Sequence, residues 1–175
     1  MNWLEEMAKQ TQIAKLMEVN SYTKRFGLTL TREEAELITA ERHNTLREQR
    51  RVEMGQSVLP ALIREFCDST YIQQRNYADT IIRLQEIFFL YKNEMDDEIT
   101  DEELLHVMKE LFDGVCAGST EYLEETCLAR FAMAIRAGYR GHHQTDGRGQ
   151  YWQFDEEQRW DKELYLTALN ELCGG

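Results

Sequence analysis

The most regular apolar pattern in the sequence is YADTIIRLQEIFFLY, residues 77–91, near the middle of the 175-residue chain. Large apolar side chains recur there every three or four positions, at Tyr77, Ile81, Leu84, Phe88 and Tyr91. Steps of three and four place side chains on one face of an α-helix, and a wide apolar face is typical of a buried helix. We therefore expect this stretch to form the central helix of a bundle.

Helical patterns continue on both sides of this stretch. Thr31 with Glu34, and Thr100 with Glu103, have the spacing of capping boxes, in which two side chains satisfy the first free amides of a helix. The sequence predicts helices at residues 2–18, 32–52, 59–66, 77–91, 100–113 and 119–137, with a connector at 20–31. Glycines separate these segments, and a further helix is expected after Asp155.

Residues 138–150 differ in composition from the rest, because they hold four of the ten glycines. They predict a Gly-rich loop before the last helix. No run of alternating β-branched residues predicts a strand. The fold class expected is all-α, a compact bundle of six or seven helices in a single domain, residues 1–175, in which helix 1–18 can pack loosely.

Composition restricts the class of protein. The chain is 42% hydrophobic and 30% charged, with a formal net charge of −12 and no apolar run long enough for a membrane helix. The start, MNWLEE, lacks the basic and apolar parts of a secretion signal. The four cysteines of the chain, Cys67, Cys116, Cys127 and Cys173, show no close metal-binding spacing. We expect a cytoplasmic protein that contacts no membrane and keeps these cysteines as buried thiols.

Two motifs resemble metal sites but lack residues that such sites need. Residues 93–103 resemble part of a calcium-binding EF-hand loop, but the first ligand position would be Lys92 and the turn glycine would be Asp97. Glu103 and His106 have the Glu-x-x-His spacing of di-iron bundles, which need that pair twice. Helix capping explains the first motif and a surface pair the second, so we expect no metal or other cofactor.

The best candidate for binding chemistry is the loop with its flanks, residues 138–152. His142, His143 and Asp146 could bind a divalent metal or transfer protons, and an exposed polar loop is the alternative. Arginine and aromatic side chains nearby are typical anchors of a protein interface. The candidate binding residues are Tyr139, Arg140, His142, His143, Asp146, Tyr151 and Trp152. No catalytic constellation is visible in the sequence.

Arginines raise a separate question about nucleic acid. Arg136, Arg140 and Arg148 could contact a phosphate backbone, yet the chain as a whole is strongly acidic, which disfavours that interpretation. Another arginine group falls late in the second helix, where cations match the helix dipole, and there we expect a solvated face rather than a binding ridge. That group is Arg42, Arg47, Arg50 and Arg51.

Several strings in the sequence carry a resemblance to a known family. They include NSY at 20–22, FGLTLT at 26–31, FCDS at 66–69, LQEIF at 84–88, YKNE at 91–94, AIRAGYRG at 134–141 and RWDKEL at 159–164. Through them, residues 17–173 resemble a family of small, uncharacterised bacterial proteins of unknown function, found chiefly in Clostridia and their relatives. The resemblance implies a bacterial cytosolic setting, and it supplies no catalytic residue, cofactor or substrate.

These observations favour a non-catalytic helical protein that acts through protein–protein contacts, as a regulatory or accessory subunit or by self-association. The alternative is a ligand- or metal-binding protein, or a small enzyme, with its site in residues 138–152. Nucleic-acid binding is the interpretation that the charge favours least.

Overall fold

A computed structural model describes residues 3–53 and 56–137. Helices and turns account for the described residues, and no strand occurs among them. The predicted all-α fold is confirmed. The predicted loop at 138–150 and the helix after it lie outside the described residues.

Six helices of eight or more residues and two shorter ones make up the described part. They are α1 (Trp3–Met17), α2 (Asn20–Thr23), α3 (Arg32–Glu48), α4 (Leu59–Phe66), α5 (Tyr77–Glu94), α6 (Asp101–Asp113), α7 (Thr120–Tyr122) and α8 (Leu128–Arg136). Short 3₁₀ turns lie at Lys24–Phe26 and Gln74–Asn76. A π-helical turn, Leu123–Cys127, joins α7 to α8.

The chain divides into two compact units, and the boundary between Leu90 and Tyr91 falls inside α5. In the first unit, α1 contacts α3. The core of this unit is aliphatic and aromatic, and its fully buried members include Ile13, Ile38, Leu62, Phe66, Tyr77, Ile81, Leu84 and Phe88. The period of three and four in residues 77–91 therefore identified the buried face of α5 correctly.

Both predicted capping boxes are present. The Thr31 hydroxyl accepts from the Glu34 amide, and the Glu34 carboxylate accepts from the Thr31 amide, at the start of α3. Thr100 and Glu103 make the same reciprocal pair at the start of α6. Pro60 lies in the first turn of α4, where its missing N–H costs no hydrogen bond.

Two local predictions need correction. The connector 20–31 begins with helical turns, because the Asn20 side chain bonds both the amide and the carbonyl of Leu30 and closes the segment on itself. The second helix ends at Glu48 instead of residue 52, since Arg50 takes a positive φ of 55°. In α1, Ile13 and Leu16 are buried, whereas the apolar residues of its first two turns are exposed.

The second unit contains α6, α7 and α8 within the described residues. Its buried side chains include Leu104, Met108, Leu111, Phe112, Leu123, Leu128, Phe131 and Ile135. Leu128, Phe131, Ala132 and Ile135 form the inner face of α8, as their spacing predicts. Ser119 caps α7, since its hydroxyl accepts from the Tyr122 amide at 3.1 Å.

Candidate interaction surface

The seven residues predicted as a binding site, Tyr139, Arg140, His142, His143, Asp146, Tyr151 and Trp152, lie outside the described residues. The structure therefore leaves that prediction open, and the surfaces below come from residues 3–53 and 56–137. Within those ranges, no group of three or more His, Cys, Asp or Glu side chains is placed to hold a metal ion.

An apolar cluster covers the first two turns of α1. Trp3 is 71% exposed, Leu4 63% and Met7 50%. Trp3 and Met7 are four positions apart, and Leu4 and Met7 three, so the side chains are neighbours on one side of the helix. We call these three residues the α1 apolar face.

The second half of α1 packs against its own unit, whereas the apolar side chains of the first half are exposed. Ile13 and Leu16 are buried, and α1 contacts α3. Gln10 is tied on both sides, since its amide donates to the Glu6 carboxylate at 3.1 Å and its oxygen accepts from Arg32 at the start of α3. The helix dipole is also matched, with Glu5 and Glu6 in the first turn and Lys15 in the last. The α1 apolar face is therefore held on an anchored helix.

The sequence shows these three residues as apolar members of the first helix without showing which way they face. Trp3, Leu4 and Met7 follow the same helical spacing as a core stripe, and periodicity cannot show whether a stripe faces the protein or the solvent. Ile13 and Leu16 project from a different side of α1 than Trp3 and Met7 do, so the two pairs do not form one stripe.

A cleft of about 550 Å³ lies among α1, α3 and the start of α4, and this volume is typical of small-molecule sites. Its lining includes the cationic residues Lys15, Arg42 and Arg64 and the anionic residue Glu18. A second cleft, of about 470 Å³, shares Ala8, Gln12 and Thr39 with the first and extends toward His43.

Arg42 and Glu53 form a buried ion pair at this cleft. The Arg42 side chain is 9% exposed and that of Glu53 12%. The Arg42 Nε donates to Glu53 Oε1 at 2.6 Å, and the other carboxylate oxygen accepts from the Val58 amide at 2.8 Å, just before α4. The expectation of a solvated arginine face is therefore wrong for Arg42, because Glu53, eleven residues later, neutralises the charge.

A lysine ammonium group fills the centre of the acidic loop that resembles an EF-hand. Lys92 is buried, and its Nζ donates to the Ile99 carbonyl at 2.7 Å and lies 2.9 Å from Asp101 and 3.6 Å from Asp97. Asp96 and Asp97 both take positive φ, so the loop turns without the glycine that calcium loops use. An internal cation thus occupies the loop.

Two other sequence motifs have structural partners. The Glu103 carboxylate accepts from the Thr100 amide, while His106 Nε2 lies 3.7 Å from Glu110, so Glu103 and His106 are engaged separately. Arg136 donates to the carbonyl of Glu94 at 2.7 Å, at the end of α5. This arginine, one of three considered for nucleic-acid contact, is used inside its own unit.

Among the described residues, two tyrosines have clearly shifted pKa values. Burial raises the pKa of Tyr77 to about 12. Burial, followed by the nearby Glu124 carboxylate, raises the pKa of Tyr91 to about 12, and the Tyr91 hydroxyl donates to the Glu124 carbonyl. Both shifts reflect packing in the core rather than an arrangement for proton transfer.

Comparison with known proteins gives one match. No curated protein and no solved structure matches the chain. Among the described residues, no helix combines the length and the apolar character needed to cross a bilayer. One family model matches residues 15–141, which is more than half of the chain, and its description is a family of unknown function. The resemblance to an uncharacterised family is confirmed, and the chain belongs to the family of unknown function DUF6323.

Proposed function

We propose that this protein acts by binding another polypeptide through the α1 apolar face, as a non-catalytic regulatory or accessory subunit in the cytoplasm. The observation that carries the proposal is the exposure of Trp3, Leu4 and Met7 together on two turns of one helix. Single exposed apolar side chains are common on any protein surface, whereas a contiguous group that includes tryptophan is typical of an interface.

Energetics supports the same surface. Burying one large apolar side chain contributes roughly 1.5–3 kcal/mol, so three neighbours can supply the apolar centre of an interface. Tryptophan is the residue most enriched among those that dominate binding energy. Because Ile13 and Leu16 already hold α1 in place, little conformational entropy is lost when the first two turns are covered.

Charge indicates the chemistry of the partner. Glu6 lies three positions from Trp3 and so borders the α1 apolar face, and the whole chain carries −12. An interface of this kind fits a partner with an apolar groove or helix face at its centre and lysine or arginine at its rim. A second copy of the same acidic chain would fit less well, and it is a separate outcome of the test.

Site-specific photocrosslinking in the source cells tests the proposal. A photoreactive amino acid at position 7 should form a conjugate with one polypeptide, which mass spectrometry identifies and which is then purified for titration. Trp3→Ala should weaken that binding at least tenfold, because it removes the largest side chain of the surface. The circular dichroism of the variant should remain unchanged, since Trp3 is exposed.

Met133 provides a matched control. It is 63% exposed on α8, and the same photoreactive group there, or Met133→Ala, should leave the conjugate and the affinity unchanged. Equal crosslinking at positions 7 and 133, or equal affinity of Trp3→Ala and the wild type, contradicts the proposal. A conjugate of twice the chain mass assigns the surface to self-association.

The cleft among α1, α3 and α4 supports a second candidate function, binding of a small anionic molecule. Its lining carries Lys15 and Arg64 against one anionic residue, Glu18, besides Arg42, whose charge Glu53 neutralises, in a chain whose overall charge is strongly negative. A thermal-shift series with dicarboxylates and phosphate esters tests this candidate. The shift should disappear in Arg64→Ala and persist in Lys24→Ala, which is exposed and outside the cleft; equal shifts in the two variants contradict it.

A further inference from the structure

Two cysteines that are 11 residues apart in sequence meet in the core of the second unit. The Sγ atoms of Cys116 and Cys127 lie 3.6 Å apart, and both side chains are thiols. Cys116 is 4% exposed and Cys127 0%. A disulfide has an S–S distance of about 2.05 Å, so a displacement of about 1.5 Å, shared between two side chains, would bring the sulfurs to bonding distance.

The backbone around both residues is held in place. Cys116 lies in the turn after α6, where its amide donates to the Leu111 carbonyl at 2.9 Å, and the next two residues, Ala117 and Gly118, take positive φ. Cys127 ends the π-helical turn that joins α7 to α8. Turns of this type interrupt regular helices and are frequent at functional sites.

We propose that Cys116 and Cys127 are an oxidative modification site, at which a peroxide converts the two thiols into an intramolecular disulfide. Cys116 reacts first, because this residue keeps 4% exposure whereas Cys127 has none, and Cys127 resolves the intermediate. The juxtaposition of the two sulfurs carries this inference, which is independent of the proposed interaction surface on α1.

The chemistry balances with hydrogen peroxide as the oxidant. The Cys116 thiol releases its proton, and its sulfur attacks one peroxide oxygen, which breaks the O–O bond and gives a sulfenic acid and one water. The Cys127 sulfur then attacks the Cys116 sulfur; the S–O bond breaks, and the hydroxyl leaves with the Cys127 proton as a second water. Two thiols lose two electrons in total, and the peroxide gains them.

The first experiment treats the native full chain with hydrogen peroxide in a Cys173→Ser background, which leaves three cysteines. Denaturation in the presence of a thiol alkylator and peptide mass mapping then report each sulfur. We expect a product lighter by two hydrogen atoms, with peptides containing Cys116 and Cys127 linked and Cys67 alkylated. Closing this ring should also raise Tm by about 5 °C.

Cys67 is the matched control, because it is equally buried and its thiol donates to a carbonyl within its own unit, that of Arg64, at 3.4 Å. The Cys116 and Cys127 thiols should disappear at least ten times faster than the Cys67 thiol. Oxidation of all three at one rate, retention of all three thiols, or disulfides between chains would each overturn the proposal.

Single substitutions test the order of reaction. In Cys127→Ser, Cys116 should stop at a sulfenic acid that dimedone traps, whereas in Cys116→Ser, Cys127 should keep its thiol. The reverse pattern would overturn the assignment of Cys116 as the first sulfur. The peptide mass mapping described above uses the chain that retains both thiols. It therefore tests the proposal even if one of these variants fails to fold.

Discussion

At the scale of single residues, the buried Arg42–Glu53 pair makes stability depend on both partners. Removing one member of a buried ion pair leaves the other charge without its counterion, at a cost of about 3 kcal/mol. We expect Glu53→Gln to lower the free energy of unfolding by about that amount, since the amide cannot neutralise Arg42 at 2.6 Å. Urea denaturation followed by circular dichroism measures the loss.

The same substitution at Glu36 is the control. Glu36 pairs with Arg32 at 3.4 Å on the solvent side of α3, where both side chains are about half exposed. Exposed pairs contribute less than about 1 kcal/mol, so Glu36→Gln should change stability little. Similar losses in the two variants would mean that Arg42 and Glu53 contribute no more than a surface pair.

Tyr77 makes stability depend on alkaline pH. Its pKa is about 12 in the folded protein and about 10 when exposed, so the folded state favours the neutral phenol. This contribution is fully present below pH 10 and is lost as the pH rises toward 12, by roughly 2–3 kcal/mol at the upper end. Unfolding by urea at pH 9, 10 and 11 should show the decline.

Tyr77→Phe is the test of that attribution, because it keeps the ring and removes the ionising group. The variant should lose less stability than the wild type between pH 9 and pH 11, although Tyr91, with a similarly raised pKa, will keep part of the slope. Identical pH profiles for variant and wild type would show that the pKa of Tyr77 is the same in the folded and unfolded states.

At the scale of elements, the start of α6 depends on the capping box. The Thr100 hydroxyl satisfies the Glu103 amide at 3.1 Å, and the loop just before it holds the Lys92 ammonium. Thr100→Ala should lower the free energy of unfolding by about 1 kcal/mol, while Thr100→Ser, which keeps the hydroxyl, should lose much less. Thermal unfolding compares the two, and equal losses would argue against the cap.

Local patterns predicted the elements well because they encode local interactions. The caps of α3 and α6, the proline of α4 and the buried faces of α5 and α8 each depend on residues a few positions apart. In the acidic loop before α6, the sequence places Lys92 where a calcium loop would have its first ligand. That Lys92 is a buried cation bonded to the Ile99 carbonyl depends on the fold of the whole loop, which local patterns do not encode.

Contacts between distant residues were not predictable in this way. Glu53 neutralises Arg42 across eleven residues, and Cys127 approaches Cys116 across a turn and a π-helical segment, so neither pairing has a periodic signal. The buried side of α1 likewise depends on a contact between elements. Trp3 and Ile13 both fit a helical stripe, and only the position of α3 determines which side is buried.

At the scale of the whole molecule, which carries a net charge of −12, the salt dependence of affinity distinguishes the proposed apolar interface from electrostatic binding. Contact through Trp3, Leu4 and Met7 is apolar at its centre. Salt screens charges at the rim and leaves apolar contact largely unaffected. Raising salt from 50 to 500 mM should therefore change the affinity for the crosslinked polypeptide by less than about threefold. Binding to nucleic acid would instead weaken by orders of magnitude over that range.

Titration of the purified pair at the two salt concentrations gives this comparison directly. Apolar burial also predicts a negative heat-capacity change of binding, which calorimetry at several temperatures detects. Trp3→Ala should reduce the magnitude of that change, whereas Met133→Ala should preserve it, because only the first removes area from the α1 apolar face. A steep loss of affinity with salt that Trp3→Ala leaves intact would assign the interaction to charged residues elsewhere on the chain.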